Sequence, residues 1–232
     1  MKEGDLLRFA PILGEVIPEL KPTFGYDQRN PHHVHDLYTH IAHVTAAVPP
    51  ELPLRWAALL HDIGKPATSS IDEKGIAHYH GHAQVSAQMA DQILRRLKAP
   101  TQLREQVVTL IDQHMTYPNP DKKWLRRRLS RLGEELQTQL LALQQADTGS
   151  KGTANEGDFD YFLQIHNILA EILAENACLQ IRDLMVNGHD LMALGIQGRA
   201  IGQTLNSLLD LVIDEKLPNE KTALLAAAEK IR

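Results

Sequence analysis

The sequence predicts an all-α chain carrying at most one small β-hairpin. Three observations lead there. Apolar residues recur with helical spacing along almost the whole chain. Only one short stretch is β-compatible and bounded by turn residues. Hydrophobic residues make up 43% of the 232 positions and aromatic residues only 5%, so the core has to be built mostly from aliphatic side chains packed between helices.

Each element follows from local sequence. Leu6 to Leu20 is helical in pattern but broken by Pro11 and Pro18. "KPTFGYDQRNPHH" follows as a loop. Asp36 starts a helix that runs to Val48, ahead of "PPELP". Leu54 to Ile63 forms the next helix, with Gly64 as its C-terminal stop and Pro66 just beyond. "ATSSIDEKGIAHYH" places a turn at Glu73 to Gly75 and suits a hairpin. Further helices are expected at about 83–98, 102–115, 122–132 and 134–147. "TGSKGTANEGDFD" reads as a loop, and a helix from Phe159 to Cys178 follows it. The tail reads as short helices punctuated by glycines. Two domains are expected, residues 1–158 and a C-terminal helical extension over 159–232.

Bulk properties narrow the function classes. A net charge of −5 argues against a generally basic nucleic-acid binder but allows a local patch. The single cysteine, Cys178, excludes an internal disulfide framework. No signal peptide and no long apolar run is found, so a reducing, cytoplasmic setting is expected and a membrane partner is not. Histidine is the unusual feature: nine of the twelve lie between His32 and His82.

"LLHDIGKP" carries an apolar helical run straight into His61 and Asp62. A buried carboxylate is costly unless something positive meets it. On helical wheels His40 lies at the edge of the stripe of Leu37, Ile41 and Val44. His82 aligns with Val85, Met89 and Ile93, His114 with Leu103, Val107 and Leu110, and Asp147 with Leu136, Leu140 and Leu143. Five helices therefore each turn a metal-competent side chain inward. A lone histidine on an apolar face is usually a hydrogen-bonded core residue; five together point to a divalent ion such as Mn, Fe, Co, Ni or Zn. His32 and His33 sit in a loop as candidates for lining a site. His35, His43, His78 and His80 read as surface or loop residues.

His40, the pair His61–Asp62 and Asp147 resemble the HD phosphohydrolase superfamily. "HDIGK" with His82 and His114 resembles its larger-site members, which hold two metals. "FGYDQRNPHHVHDLYTH", "LRWAALLHDIGKP" and "HYHGHAQVSAQMADQILRRL" resemble the HD domain in the C-terminal half of bacterial CCA-adding tRNA nucleotidyltransferases. The tail from "NGHDLMALGIQGRAIG" onward resembles the region of those enzymes that holds the tRNA body. The resemblance implies an HD-domain helical bundle and one or two divalent ions, with Mg among the options. It implies that His40, His61, Asp62 and Asp147 bind a first metal, and that Asp62 bridges to a second completed by His82 and His114. Some two-metal relatives carry another histidine after the last; here it is Met115. Lys65 is then a candidate to meet a phosphate oxygen, or else a helix-terminal cation. Asp62 and Lys65 are the residues expected at the chemistry. The family's nucleotidyltransferase head is not recognisable, so a free-standing relative or a fragment is expected, and nucleotide addition by this chain alone is not.

"DKKWLRRRLSRLGEE" concentrates Lys122, Lys123, Arg126, Arg127 and Arg128 in one helix. These side chains form either a solvated face or a contact to RNA phosphates. The leading expectation is a metal-dependent phosphohydrolase or phosphodiesterase acting on a nucleotide, cyclic phosphate or RNA-end ester through metal-activated water. The alternative is a tRNA-binding module working with a separate nucleotidyltransferase head, its metal site structural or vestigial.

Overall fold

A computed structural model describes residues 2–31 and 34–231; His32 and His33, held as candidates above, lie outside the described residues. The described residues are all-α with one two-stranded hairpin. It divides into two compact units, one of residues 1–117 and 135–162, the other of residues 118–134 and 163–232.

The first unit opens with α1 (Glu3–Arg8), α2 (Ala10–Val16) and a 3₁₀ turn over Pro18–Thr23, a division set by the prolines. Asp36 caps α3 (Leu37–Ala47), accepting from the backbone N–H groups of Tyr38 and Thr39. Pro53 sits in the first turn of α4 (Leu52–Leu60). α4 ends earlier than the sequence pattern suggests. Residues 61–64 form a turn, and Pro66 opens the short α5 (Lys65–Thr68) instead of lying beyond a helix end. The hairpin pairs β1 (Ser70–Ile71) antiparallel with β2 (Ala77–His78), in register Ser70 with His78. Asp72 closes its turn by accepting from Lys74 and Ile76, and Gly75 takes the left-handed backbone the turn needs. α6 (His82–Arg96), α7 (Thr101–Gln113) and α9 (Glu134–Gly149) complete the unit's main helices.

Leu37, Ile41 and Val44 of α3 and Leu54, Ala57 and Leu60 of α4 are wholly buried, as are Val107 and Ile111 of α7 and Leu141 and Leu143 of α9. α6 and α4 both pack on α7, and α3 on α4. Burying each such leucine or isoleucine contributes about 1.5–3 kcal/mol. Among the described residues, Tyr38 and Phe162 are the buried aromatic hydrophobes, so the core is aliphatic as composition requires.

The second unit contains α8 (Lys122–Leu132), the later part of α10 (Glu156–Ala174), a 3₁₀ turn at Ile181–Asp183, α11 (Gly188–Ala193), α12 (Arg199–Ile213) and α13 (Lys221–Ile231). Its core joins Leu191, Leu208, Leu209, Ile213 and Leu224. α9 reaches Gly149 and α10 begins at Glu156, so the expected loop at 148–160 shrinks to six residues. Among the described residues, no helix is long and apolar enough to cross a membrane.

Candidate metal centre

The ends of helices deliver the centre. His61 follows the last residue of α4, and Asp62 sits in the turn after it. Gly64 lets that turn lie directly on the start of α6. A Cβ there would stand 2.8 Å from the backbone nitrogen of Ser86 and 2.9 Å from the carbonyl oxygen of His82. Its φ of −82° is ordinary. The glycine therefore serves close approach, and not the left-handed helix stop that its place in the sequence suggests. Gly81, at φ 77°, turns the chain from the hairpin into α6 so that His82 is the helix's first residue. His114 follows α7, His40 lies within α3 and Asp147 within α9.

All six side chains are buried. One donor atom each from His40, His61 and Asp62 lies within 4.8 Å of the others, and the same holds for Asp62, His82 and His114. Asp62 is common to both groups. Its Oδ2 is 3.3 Å from His61 Nε2 and 3.6 Å from His40 Nε2; its Oδ1 is 3.2 Å from His82 Nε2 and 3.8 Å from His114 Nε2. Asp147 Oδ1 joins from the side, 3.1 Å from His40 Nε2.

The four imidazoles are oriented alike. Nδ1 of His61, His82 and His114 lies 2.8, 2.7 and 2.6 Å from the carbonyl oxygens of Ala58, Tyr79 and Ile111. Nδ1 of His40 lies 3.4 Å from that of Ser150. A proton donated from each Nδ1 leaves an Nε2 lone pair aimed at the carboxylates, the arrangement metal-ligating histidines use. His61 Nε2 and Asp62 Oδ2 are buried and make no hydrogen bond of good geometry. Imidazole with carboxylate suits divalent transition metals, and the buried residues present fit such an ion.

Residues beyond the six hold the centre in place. Lys65 is buried, its Nζ 2.7 Å from Asp62 Oδ2 and donating to Gln28 Oε1 at 3.0 Å. It opens the four-residue α5, whose single turn also makes it the last-turn cation, and its ammonium meets Asp62. Lys151 Nζ stands 3.0 Å from Asp147 Oδ2. Gln144, one turn before Asp147, donates to the carbonyl oxygens of His114 and Thr116 and so ties α9 to the end of α7. Reading the sequence alone missed Lys151 and Gln144; the i,i+4 spacing of Asp147 and Lys151 was the available signal.

Electrostatics follow from this packing. Burial alone would raise the Asp62 carboxyl, but the charges of His61 and Lys65 outweigh it and hold the group well below the usual carboxylate range. Asp147 is likewise held low, burial being outweighed by the His40 hydrogen bond and the Lys151 charge. Burial would lower His61, yet the Asp62 charge carries it above the ordinary value of 6.5. Burial and the charge of His61 push His114 down to about 4. At pH 7 His114 is therefore already neutral, whereas the Asp62 charge favours the protonated form of His61. Metal uptake should then displace a proton from His61 and not from His114, and affinity should weaken as pH falls below neutral. Calorimetric titration in two buffers of different ionisation enthalpy checks this, and uptake without proton release would contradict it.

The basic helix lies in the second unit, and its cations face acids there. Arg127 makes a two-armed pair with Asp214 at 2.8 Å, and Lys123 is 3.6 Å from the same carboxylate. Arg126 bonds to Glu175 and Glu215, and Lys122 to Glu175. Arg128 is buried, with its guanidinium 5.0 Å from the centre of the Trp124 ring, so it packs and is not a surface cation. Lys122, Lys123 and Arg127 remain 36%, 42% and 51% exposed.

Comparison with known proteins adds the lineage. The chain is 33% identical over 210 residues to an A-adding tRNA nucleotidyltransferase of Deinococcus radiodurans, covering 86% of this chain and 47% of that protein. It is 32% identical over 228 residues to a CC-adding tRNA nucleotidyltransferase of Thermus thermophilus, covering 94% and 50%. A multifunctional CCA protein of an Azoarcus species is 38% identical over 113 residues, 47% of this chain and 27% of that one. The chain thus spans about half the length of the first two relatives. The family model for tRNA nucleotidyltransferase domain 2 matches residues 70–228, from the hairpin into α13, and the chain belongs to that family.

Proposed function

We propose that this chain is a tRNA-binding body of the tRNA nucleotidyltransferase kind, with an HD-type divalent-metal centre in its first unit. The family match over residues 70–228 carries the reading. Relatives named for adding A or CC to tRNA support it along most of the chain. They favour the binding-module expectation over the stand-alone phosphohydrolase. Nucleotide addition is assigned to a nucleotidyltransferase head as partner.

Of the five α8 cations expected to meet RNA phosphates, Lys122, Lys123 and Arg127 are the better exposed, against 13% for the Arg126 side chain and a buried Arg128. Lys122 and Glu175 form a surface pair that contributes about 0–1 kcal/mol, whereas Lys123 and Arg127 share Asp214, whose side chain is only 8% exposed and is also met by Lys216 at 3.1 Å. Exchange of Glu175 for a phosphate of a polyanion therefore costs little, and counterion release favours it. Ultraviolet crosslinking of the full chain to tRNA, mapped by mass spectrometry, tests the assignment. Crosslinks should concentrate in α8 and in residues 187–231. A pattern shared with an unstructured RNA of equal length would count against it.

One observation favours a second, hydrolytic reading of the first unit: four oriented Nε2 atoms and two carboxylates converge beside Lys65. A divalent ion held there would supply Lewis acidity and a more acidic water. Lys65 would hold a phosphoryl oxygen, and Lys151 would keep Asp147 ionised.

A further inference from the structure

We infer that a cavity in the second unit receives one unstacked base of a bound RNA, with the Arg126 guanidinium as the flat surface on which it rests. The inference rests on the tRNA-binding reading above. The cavity measures about 520 Å³ and lies where α10 and α12 end. After each helix the chain turns back through a left-handed residue, Asn176 at φ 48° and Glu215 at φ 58°. Both residues line the space, and Ala177, Val212, Leu217 and Pro218 give it an apolar wall. Its size falls inside the range of about 300–1,000 Å³ usual for small-ligand sites.

Charge decides which part of a nucleotide suits the cavity. Arg126 and Lys216 are matched there by Glu175 and Glu215, so the lining carries no net charge. The two helix C-termini add partial negative charge. A phosphate gains nothing from such a lining, whereas an uncharged planar group does. Arg126 donates from Nη1 to Glu215 and from Nη2 to Glu175, and its Nε is buried without a hydrogen-bond partner. The two carboxylates fix the guanidinium plane and occupy its edge. What it has left for a ligand is its flat face, the kind of surface on which unpaired RNA bases stack. Asn219 has both ends of its carboxamide taken, by the Met185 N–H and the Asp183 carbonyl oxygen. The Asn176 carboxamide, by contrast, makes no hydrogen bond among the described residues, and it offers a donor and an acceptor side by side to a base edge. The cations suited to phosphates flank the same place. Lys122 shares Glu175 with Arg126, and Lys123 and Arg127 lie beside Arg126 on α8. A strand whose phosphates follow those cations runs past the cavity, which takes the base.

The test fills the cavity without touching a charge. Binding of tRNA to the full chain is measured over a salt series. Cys178, which also lines the space, is replaced by a larger side chain in Cys178→Phe. Affinity should fall about ten- to a hundredfold, the effect of losing one stacked base. The log–log salt slope should not change, because no phosphate contact is lost. Cys178→Ser, nearly equal in size, should bind like wild type. Asn176→Gly keeps the left-handed turn, removes the carboxamide and should weaken tRNA at unchanged slope. In the wild type, bound tRNA should slow alkylation of the Cys178 thiol, followed at alkaline pH because burial pushes the thiol up to about 11. Circular dichroism shows whether each variant folds. A folded Cys178→Phe chain that binds tRNA normally, or that weakens only through a changed salt slope, overturns the inference and leaves the tRNA-binding reading standing. Should Cys178→Phe not fold, normal binding by Asn176→Gly together with an unprotected thiol overturns it in the same way. Wild type that does not bind tRNA overturns the reading and the inference together.

Discussion

Asp62→Ala is expected to strip the metal from the chain almost completely. Asp62 is the one side chain common to both ligand groups, its two oxygens dividing between His40 and His61 on one side and His82 and His114 on the other. Losing only an outer partner of a ligand costs about 10–100-fold in affinity, so losing a shared ligand should cost more than about 100-fold. The substitution also leaves Lys65 buried without its carboxylate, a defect of about 3–5 kcal/mol when one partner of a buried pair is removed. Asp62→Asn keeps the volume and is the gentler variant. Elemental analysis with far-ultraviolet circular dichroism separates metal loss from unfolding. His82→Ala should spare the His40–His61 side and lose only the other. Stoichiometric metal in a folded Asp62→Ala chain would contradict the ligand assignment.

Gly64→Ala should destabilise the first unit and disturb the same centre from outside it. The added Cβ meets backbone at 2.8 and 2.9 Å, which no rotamer change can relieve, so the turn and the start of α6 must part. Overpacking of this kind costs about 1–3 kcal/mol. For a chain of this length each kcal/mol lowers Tm by about 2–4 °C. Because the shift separates Asp62 from His82, metal affinity should fall on that side more than at His40 and His61. Thermal melting beside metal titration reads both effects, and an unchanged Tm would refute the close-approach role.

The helical class and most helix positions were legible because the apolar stripes are strong and the caps are local. Asp36 and Asp121 each bond the backbone N–H groups ahead of them, so their helices begin where the sequence says. The inward turn of His40, His82, His114 and Asp147 could be read from the wheel, because those residues ride on stripes that have to be buried. What could not be read depends on contacts between distant segments. Gly64 reads as a helix stop because its neighbour, Ser86, is not visible locally. Lys151 hides in a Gly- and Thr-rich stretch that only the continuation of α9 brings under Asp147. The cations of α8 look unopposed in sequence, since Glu175, Asp214 and Glu215 lie some fifty to ninety residues away. The tail's resemblance to a tRNA-holding region was legible from Asn187 onward, and the family match over residues 70–228 covers it.

The proposed tRNA-binding role is tested by equilibrium binding of the full chain to a tRNA lacking its 3′-terminal CCA, measured against a hairpin RNA of equal length over a series of salt concentrations. Binding should saturate and prefer tRNA, and the log–log salt slope should become shallower by about one for each phosphate-contacting cation removed among Lys122, Lys123 and Arg127. Equal affinity for tRNA and hairpin, with a slope unchanged by those substitutions, would contradict it.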